Sequence, residues 1–509
     1  MYKDLSGKRQ RVGAVVVDLK GQRTNNTGWS KSSGLVAVRR DGHEMREKLY
    51  PREAFEEPKE LTSRAEEILH ENDMGGWTKA SPGLYPHQWS WDSAFIAIGL
   101  AHLDTRRAAQ ELVTLFDHQW ATGKVPHIVF NMEAPPDSYF PGPEHWATAA
   151  PDSPDAPPTL ADTSGLCQPP VHAMAAWHIW EVAKNRGEDV LAETRGFLEE
   201  FYPKLFAWHQ YLVTARDPEE SGLVTIYHPW ESGTDNSPRW NAALERCTLG
   251  DQPSHPRPDL KDTDPSERPT EEKYYRYIWL VDLIKGVGCN EAAIYESHPF
   301  LVKDVLFSAI LVRANEALLE IAEVVEACDE ERSLIQEWME RGLQGLEACW
   351  DSELGLCLDY DLWAAAPLPA RTVGGFAPII AGVRNPEQLE SLLGVLDSPA
   401  FIGNPELRWP LPLSTSPQDP EFDPRRYWRG PVWPVYNWLL WSSLVRIGEP
   451  ERAERLRQAS LEQITSEGFG EYFEPFTGKL LGSDNQSWTA AVVLDWLASG
   501  PRPEAVDAT

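Results

Sequence analysis

Apolar residues recur at intervals of three and four through most of this chain, in about a dozen separate stretches, while strand-like alternation is weak throughout. The spacing predicts helices at about 90–103, 105–122, 169–186, 190–214, 272–287, 301–328 and 330–349. Others follow at about 386–396, 430–447, 449–465 and 487–499. Leu112, Leu115 and Phe116 share one helical face, and the stretch around Val492 to Trp496 is apolar on all sides, as a fully buried helix would be. Ser63 and Glu66 read as a capping box ahead of Ile68 and Leu69. The connections at about 128–168 and 229–271 are long and rich in Pro, Gly, Trp and Tyr, and long loops in compact domains usually carry function. No fixed-period repeat is present, which argues against a solenoid. The expectation is an all-α fold, an (α/α)6 barrel: six helical hairpins in a ring, with the site where the loops gather.

Residues 1–55 differ from the rest. They are basic and polar, lack helical periodicity, and hold one short apolar run, Val12 to Val17. They read as a disordered or peripheral extension, ahead of a catalytic domain at 56–500 and a tail at 501–509. The formal net charge of -31 disfavours nucleic acid and anionic membranes as partners. An anionic small molecule would need a local cation to meet it. No apolar run approaches the roughly 20 residues of a bilayer span, and the first residues lack a signal-peptide pattern. Six cysteines form no CxxC, and no histidines cluster at metal-ligand spacing. The expectation is therefore a soluble cytoplasmic protein with free thiols, no metal and no cofactor, its oligomeric state left open.

Tryptophan is the outlier of the composition. Many of the 22 sit in polar loops beside Asp, Glu, Arg and Tyr, where an indole face can stack on a sugar ring. Glycoside cleavage needs two carboxyl groups across the scissile bond, one to protonate the leaving oxygen and one to activate water or attack. Four segments bring carboxyl and aromatic residues together. They are Tyr85 to Asp92, His228 to Trp240, Tyr427 to Trp433, and Glu471 to Pro475 followed by Gln486 to Ala491. Blander readings stand beside these. Asp235 ahead of Pro238 could cap a helix, Asp92 could answer a helix macrodipole, and Arg429 could serve a structural ion pair. Glu231 or Glu474 could replace Glu471, and one of Trp428 and Trp433 could be core. His87 and His127 read as structural.

At these residues the chain resembles glycoside hydrolase family 63 and its relatives the trehalases. The shared patterns are ESGxDxSxRW at 231–240, YWRGPxW at 427–433, and Glu471-Tyr472 followed by Ser487-Trp488-Thr489-Ala490-Ala491. Tyr85 to Asp92 and Val125 to Phe130 point more narrowly to the short members that hydrolyse mannosylglycerate and glucosylglycerate. The resemblance spans about residues 60–500. It implies an inverting, metal-independent hydrolase with Asp235 as general acid and Glu471 as general base, facing each other across a pocket. It also implies a sugar subsite built from Trp89, Trp91, Asp92, Gln168, Trp230, Trp428, Arg429, Trp433 and Trp488. A glycerate clamp would come from Tyr85, Tyr139, Arg268, Tyr274, Tyr427 and Gln486, with Tyr275 an alternative to Tyr274. The expected small-molecule partner is a mannosyl- or glucosylglycerate. A hydrolase of neutral disaccharides is the rival reading. A sugar isomerase or epimerase would need a histidine pair that these motifs lack, and a non-catalytic sugar-binding protein would have no need of both carboxylates.

Overall fold

In a computed structural model the described residues are 37–40, 43–46, 58–148, 162–247, 249, 255–261 and 263–499. The chain divides into two units, Met1–Glu56 and Glu57–Thr509. What is described of the first is an antiparallel pair of strands, β1 (Ala37–Arg40) and β2 (His43–Arg46), with Val38 opposite Met45. The Val12–Val17 run, any disorder of the extension and the 501–509 tail lie outside the described residues.

Twelve helices of the second unit form the barrel. In chain order they are α1 (Pro58–Glu71), α2 (Ser90–Leu103), α3 (Thr105–Phe116), α4 (His172–Ala183), α5 (Glu188–Thr214) and α6 (Val305–Val324). Then come α7 (Asp329–Ala348), α8 (Ala377–Ala381), α9 (Pro386–Leu396), α10 (Pro434–Arg446), α11 (Pro450–Glu467) and α12 (Ser487–Ala498). The even-numbered helices pack in a closed ring, α2 on α4, α4 on α6, α6 on α8, α8 on α10, α10 on α12 and α12 back on α2. The odd-numbered helices pack around the outside: α3 on α2, α5 on α4, α7 on α6, α9 on α8, α11 on α10 and α1 on α12. The fold is the (α/α)6 barrel.

Sequence dictates which ring each helix joins. Inner α2 and α12 are buried on nearly every face, whereas α3 presents a narrow apolar stripe of Ala108, Leu112, Leu115 and Phe116. Caps set the starts. Asp104 accepts from the Arg106 and Arg107 N–H groups at the head of α3, and Asp304 from Leu306 and Phe307 at the head of α6. Ser63 and Glu66 instead lie inside α1, which begins at Pro58, so the expected capping box is not one. The helix expected at 272–287 exists as Glu271–Gly286, but it sits in the α5–α6 connection and outside both rings. Short strands appear that alternation did not reveal, the largest set a four-stranded sheet of Thr225–Ile226, Val302–Lys303, Asp359–Asp361 and Ala366–Leu368.

The connections are lopsided. From inner to outer helix they are tight turns, as at Asp104 between α2 and α3. From outer to inner they are long, and the two longest precede α4 and α6. Every long connection therefore emerges at the N-terminal ends of the inner helices. Among the described residues no helix is long and apolar enough to cross a membrane.

The ring closes where α2 meets α12, and there the backbones nearly touch. A Cβ on Gly99 would lie 2.3 Å from the Cα of Ala491. Gly99→Ala should force the two helices apart and cost about 1–3 kcal/mol through overpacking. A lowered thermal midpoint is expected; an unchanged one would show that the closure tolerates extra volume.

Candidate active site

A cavity opens at the loop end of the ring. Asp235 and Glu471 both line it. So do Tyr85, Trp89, Trp91, Asp92, Tyr139, Gln168, Trp230, Arg268, Tyr274, Tyr427, Trp428, Gln486 and Trp488. Residues from five of the six long connections, distant in sequence, thus meet in one concave, aromatic space.

Two expected residues do not line it. Trp433 is 1% exposed and sandwiched, its ring 4.0 Å from Trp428 and 4.5 Å from Tyr472. It supports the ring of Trp428 from behind. Arg429 pairs with Glu421 at 2.7 Å and donates to the Asn241 amide oxygen at 2.5 Å, so it fastens loops behind the wall. The two alternative acids are also engaged elsewhere. Glu231 forms a buried bidentate pair with Arg216 at 2.8 and 2.9 Å, and Glu474 caps the turn at Thr477. Neither lines the cavity.

Glu471 heads a short hairpin in which Tyr472–Phe473 pairs with Leu480–Leu481. Among the described residues each hydrogen-bond partner of its carboxyl is a donor. Tyr85 Oη lies 2.8 Å and Tyr427 Oη 3.2 Å from Oε1, and the Ser483 N–H is 3.0 Å from Oε2. Arg268 Nη2 stands 3.6 Å from Oε2, and Arg268 Nη1 donates to Tyr85 Oη at 2.9 Å. Gly482 makes room for this carboxyl: its φ is +69°, and a Cβ there would come within 2.4 Å of Glu471 Oε2. Tyr427 holds φ +41°, a conformation uncommon for an aromatic residue and retained here beside the cavity.

Asp235 is set differently. Among the described residues its carboxyl meets only its own backbone N–H, and burial lifts its pKa to about 7. Its backbone carbonyl accepts from Tyr277 Oη at 2.9 Å. The loop around it is knotted. Trp240 Nε1 donates to the Thr234 carbonyl at 3.0 Å, and a Cβ on Gly233 would strike the Trp91 ring. Arg239 binds both oxygens of Asp359, at 2.7 and 2.5 Å, and reaches Asp304 at 2.5 Å. Since Asp304 caps α6 and Asp359 lies in the four-stranded sheet, one guanidinium ties the Asp235 loop to the barrel. Asp92, the third carboxyl, is pushed well above the usual range by burial first and by Glu471 next.

Arg268 follows a one-turn helix, Pro265–Glu267, and is 4% exposed. Its neighbour Glu267 anchors the segment by accepting from Arg425 at 2.8 Å and from the Gly482 N–H at 3.0 Å. Among the described residues, Nε and Nη2 of Arg268 are buried without a hydrogen-bond partner. Tyr274 lines the cavity and donates to the Phe140 carbonyl at 3.0 Å, whereas Tyr275 is turned to Glu271. Further lining residues went unrecognised in the sequence: Tyr277, His127, Phe140 and Asp259 among them. Tyr277 had a signal, for it follows Tyr274 by one helical turn on the buried face. His127 packs against Trp230, and burial lowers its pKa to about 3.

The family description "Mannosylglycerate hydrolase MGH1-like glycoside hydrolase domain" matches residues 85–489. The chain is 44% identical over 448 residues to the glucosylglycerate hydrolase of Mycolicibacterium hassiacum, covering 86% of this chain and 98% of that one. It is 41% identical to the mannosylglycerate hydrolase of Thermus thermophilus, over 85% of this chain and 99% of the relative. A solved GH63 mannosylglycerate hydrolase, from another strain of Thermus thermophilus and in complex with Tris and D-glycerate, superposes with a TM-score of 0.78 at 40% identity. That match covers 86% of this chain and 99% of the other. The neutral trehalase of Saccharomyces cerevisiae shares the fold, with a TM-score of 0.50 at 15% identity.

The Arg239 knot makes its own prediction. Removing the guanidinium leaves Asp304 and Asp359 buried as unpaired acids, which typically costs about 3–5 kcal/mol. Arg239→Leu should therefore lower the urea midpoint substantially, whereas Arg429→Leu, facing a half-exposed Glu421, should lower it much less. Equal losses would show that the knot is not special.

Proposed function

The chain belongs to the mannosylglycerate hydrolase MGH1-like glycoside hydrolases, and on that premise we propose that it hydrolyses 2-O-α-mannosyl- or 2-O-α-glucosyl-D-glycerate with inversion, releasing the hexose and D-glycerate. Asp235 is the general acid and Glu471 the general base. The domain that does this is residues 56–500, flanked by extensions that lend no catalytic group. The enzyme acts in the cytoplasm, where a reducing medium suits six unpaired cysteines.

The observation that carries the substrate reading is the pair of unpartnered guanidinium nitrogens on Arg268, buried beside the cavity. A buried guanidinium with two nitrogens that make no hydrogen bond, although Nη2 lies 3.6 Å from Glu471 Oε2, suits a carboxylate, to which it can donate two parallel hydrogen bonds. A neutral disaccharide offers hydroxyl acceptors but no opposite charge to match it. Tyr85, Tyr139, Tyr274, Tyr427 and Gln486 add neutral groups around the same space. The hexose would lie among Trp91, Trp230, Trp428 and Trp488, with Asp92 and Gln168 toward its hydroxyls.

The two carboxyl groups suit opposite tasks. Asp235, with a pKa of about 7, is still about half protonated at neutral pH and can hand its proton to the glycerate oxygen as the bond breaks. Glu471 accepts hydrogen bonds from Tyr85, Tyr427 and the Ser483 N–H, which orient it to draw a proton from water attacking the opposite face. The direct displacement would give the β-hexose.

Because the acid must be protonated, kcat/KM should fall as pH rises through about 7. Asp235→Asn should lower turnover of glycosylglycerate by about 10²–10⁴-fold yet retain most activity on the α-glycosyl fluoride, whose leaving group needs little proton. Glu471→Gln should lose both. Proton NMR of the first product formed should show the β-anomer. An α-anomer, or equal losses for Asp235→Asn on the two substrates, would defeat these assignments.

Arg268→Ala should weaken binding of a glycerate glycoside by about ten- to a hundred-fold, the value of one charged hydrogen-bonding group. Arg268 also neighbours Glu471, so part of the loss is common to both substrates, but the matching glycosylglycerol, without the carboxylate, should lose less. Comparing kcat/KM for both compounds in both proteins decides; equal losses would remove the support for a glycerate subsite.

A further inference from the structure

At the end of the ring away from the cavity, three inner helices bring one side chain each to a single point. His102 stands in the last turn of α2, His178 in α4 and Asp495 near the end of α12. His102 Nε2 is 2.8 Å from Asp495 Oδ1, His178 Nε2 is 3.2 Å from the same oxygen, and the two nitrogens are 3.2 Å apart. The other carboxylate oxygen is already held, since Trp438 Nε1 on α10 donates to Oδ2 at 2.7 Å. None of these residues lines the cavity. Asp92, which does, opens α2 about 15 Å along the helix axis from His102, at about 1.5 Å rise per residue.

Hydrogen bonding alone fits this triangle poorly. Two N–H donors on one carboxylate oxygen favour its separate lone-pair directions. Here the three distances close at roughly 60° at Oδ1, so the two hydrogens would crowd each other. A tetrahedral metal ion asks for what is present. Bonds of about 2.0–2.1 Å to imidazole nitrogen and carboxylate oxygen set neighbouring ligand atoms roughly 3.3 Å apart. An ion roughly 1 Å above the plane of the three atoms would reach all of them. Both imidazoles are partly exposed, which gives it an entry path and a place for a fourth, water ligand. The C-terminal ends of α2 and α12 direct partial negative charge to the same region. Trp438 orients the carboxylate as an outer partner does in metal sites. The nearby cation, Arg186, is engaged by the backbone carbonyls of His102 and Leu103.

We propose that His102, His178 and Asp495 bind one divalent transition cation of the zinc type, which ties α2, α4 and α12 together at the end of the ring opposite the cavity. Two imidazoles and one carboxylate favour such ions over magnesium or calcium, which prefer all-oxygen ligands. The ion is structural and takes no part in hydrolysis.

The test starts from full-length protein stripped of metal by a chelator. Titration with Co²⁺ should give one equivalent and the visible absorption bands of a tetrahedral site. Zn²⁺ should raise the thermal midpoint, Mg²⁺ should not, and kcat should be the same with and without zinc. His178→Gln and His102→Gln should each weaken binding at least about ten-fold, the usual scale for loss of a metal-site group. The unaltered protein decides first, so poor folding of a variant cannot obscure the result. Absence of stoichiometric Co²⁺ binding or of its bands overturns the site. Undiminished binding in a folded His178→Gln protein overturns the ligand assignment. A fall in kcat on chelation overturns the structural role.

Discussion

The structure depends on closing a ring of six helices whose first and last members are separated by most of the chain. α2 and α12 meet through Gly99 and Ala491, where neither side chain keeps the backbones apart. Once closed, the inner ring buries its own apolar faces and leaves little space in its middle. The polar residues of the cavity gather at one end. The tight inner-to-outer turns leave one end bare, and the long outer-to-inner connections crowd the other. Every residue lining the cavity comes from those connections or from the first turn or two of an inner helix.

Within the cavity the governing quantity is charge. Asp92, Asp235 and Glu471 share a small buried volume with a single lining guanidinium, that of Arg268. One cation cannot answer three buried carboxylates. Arg268 and two phenols converge on Glu471, while Asp92 and Asp235 are driven by burial toward their neutral forms. Burial thus sets two of these chemically similar groups apart from the one that the donors surround. Tyr85 matters to this balance. It accepts from Arg268 and donates to Glu471, so cation and anion stay 3.6 Å apart without collapsing into a direct hydrogen bond, and two guanidinium nitrogens stay unpartnered.

Much of this was legible in the sequence because the motif residues carry chemistry that loops rarely assemble by chance. Asp235 and Glu471 stood out among their neighbours, Arg268 and the clamp tyrosines were named only through the resemblance to family 63, and long periodic stretches gave most of the barrel helices. The losses have physical causes. α8 is five residues long, too short for a period to show. Two- and three-residue strands cannot display alternation. Trp433 and Arg429 share a motif with Trp428, but a motif does not say which aromatic faces the cavity and which supports it from behind. The histidines and aspartate at the far end are 76 and 393 positions apart, so only the ring brings them together.

The two proposed catalytic carboxyls are also held in opposite ways, and the difference follows from what each must do. A base must keep one orientation while ionised, so Glu471 can be tethered directly by donors to both oxygens. An acid about to give up its proton cannot be anchored in that way, because each donor on its carboxyl would stabilise the ionised form and lower its pKa. Its loop must be held instead. The anchors around Asp235 accordingly fall on its neighbours: Gly233 against Trp91, the Thr234 carbonyl on Trp240, Arg239 on Asp304 and Asp359, and Tyr277 on the Asp235 backbone oxygen. A rigid backbone, with no hydrogen bond to the carboxyl beyond its own N–H, is the arrangement in which burial is the largest influence and lifts the pKa to about 7. The buried ion pairs of Arg239 therefore bear on Asp235 without touching its carboxyl, by holding its loop still.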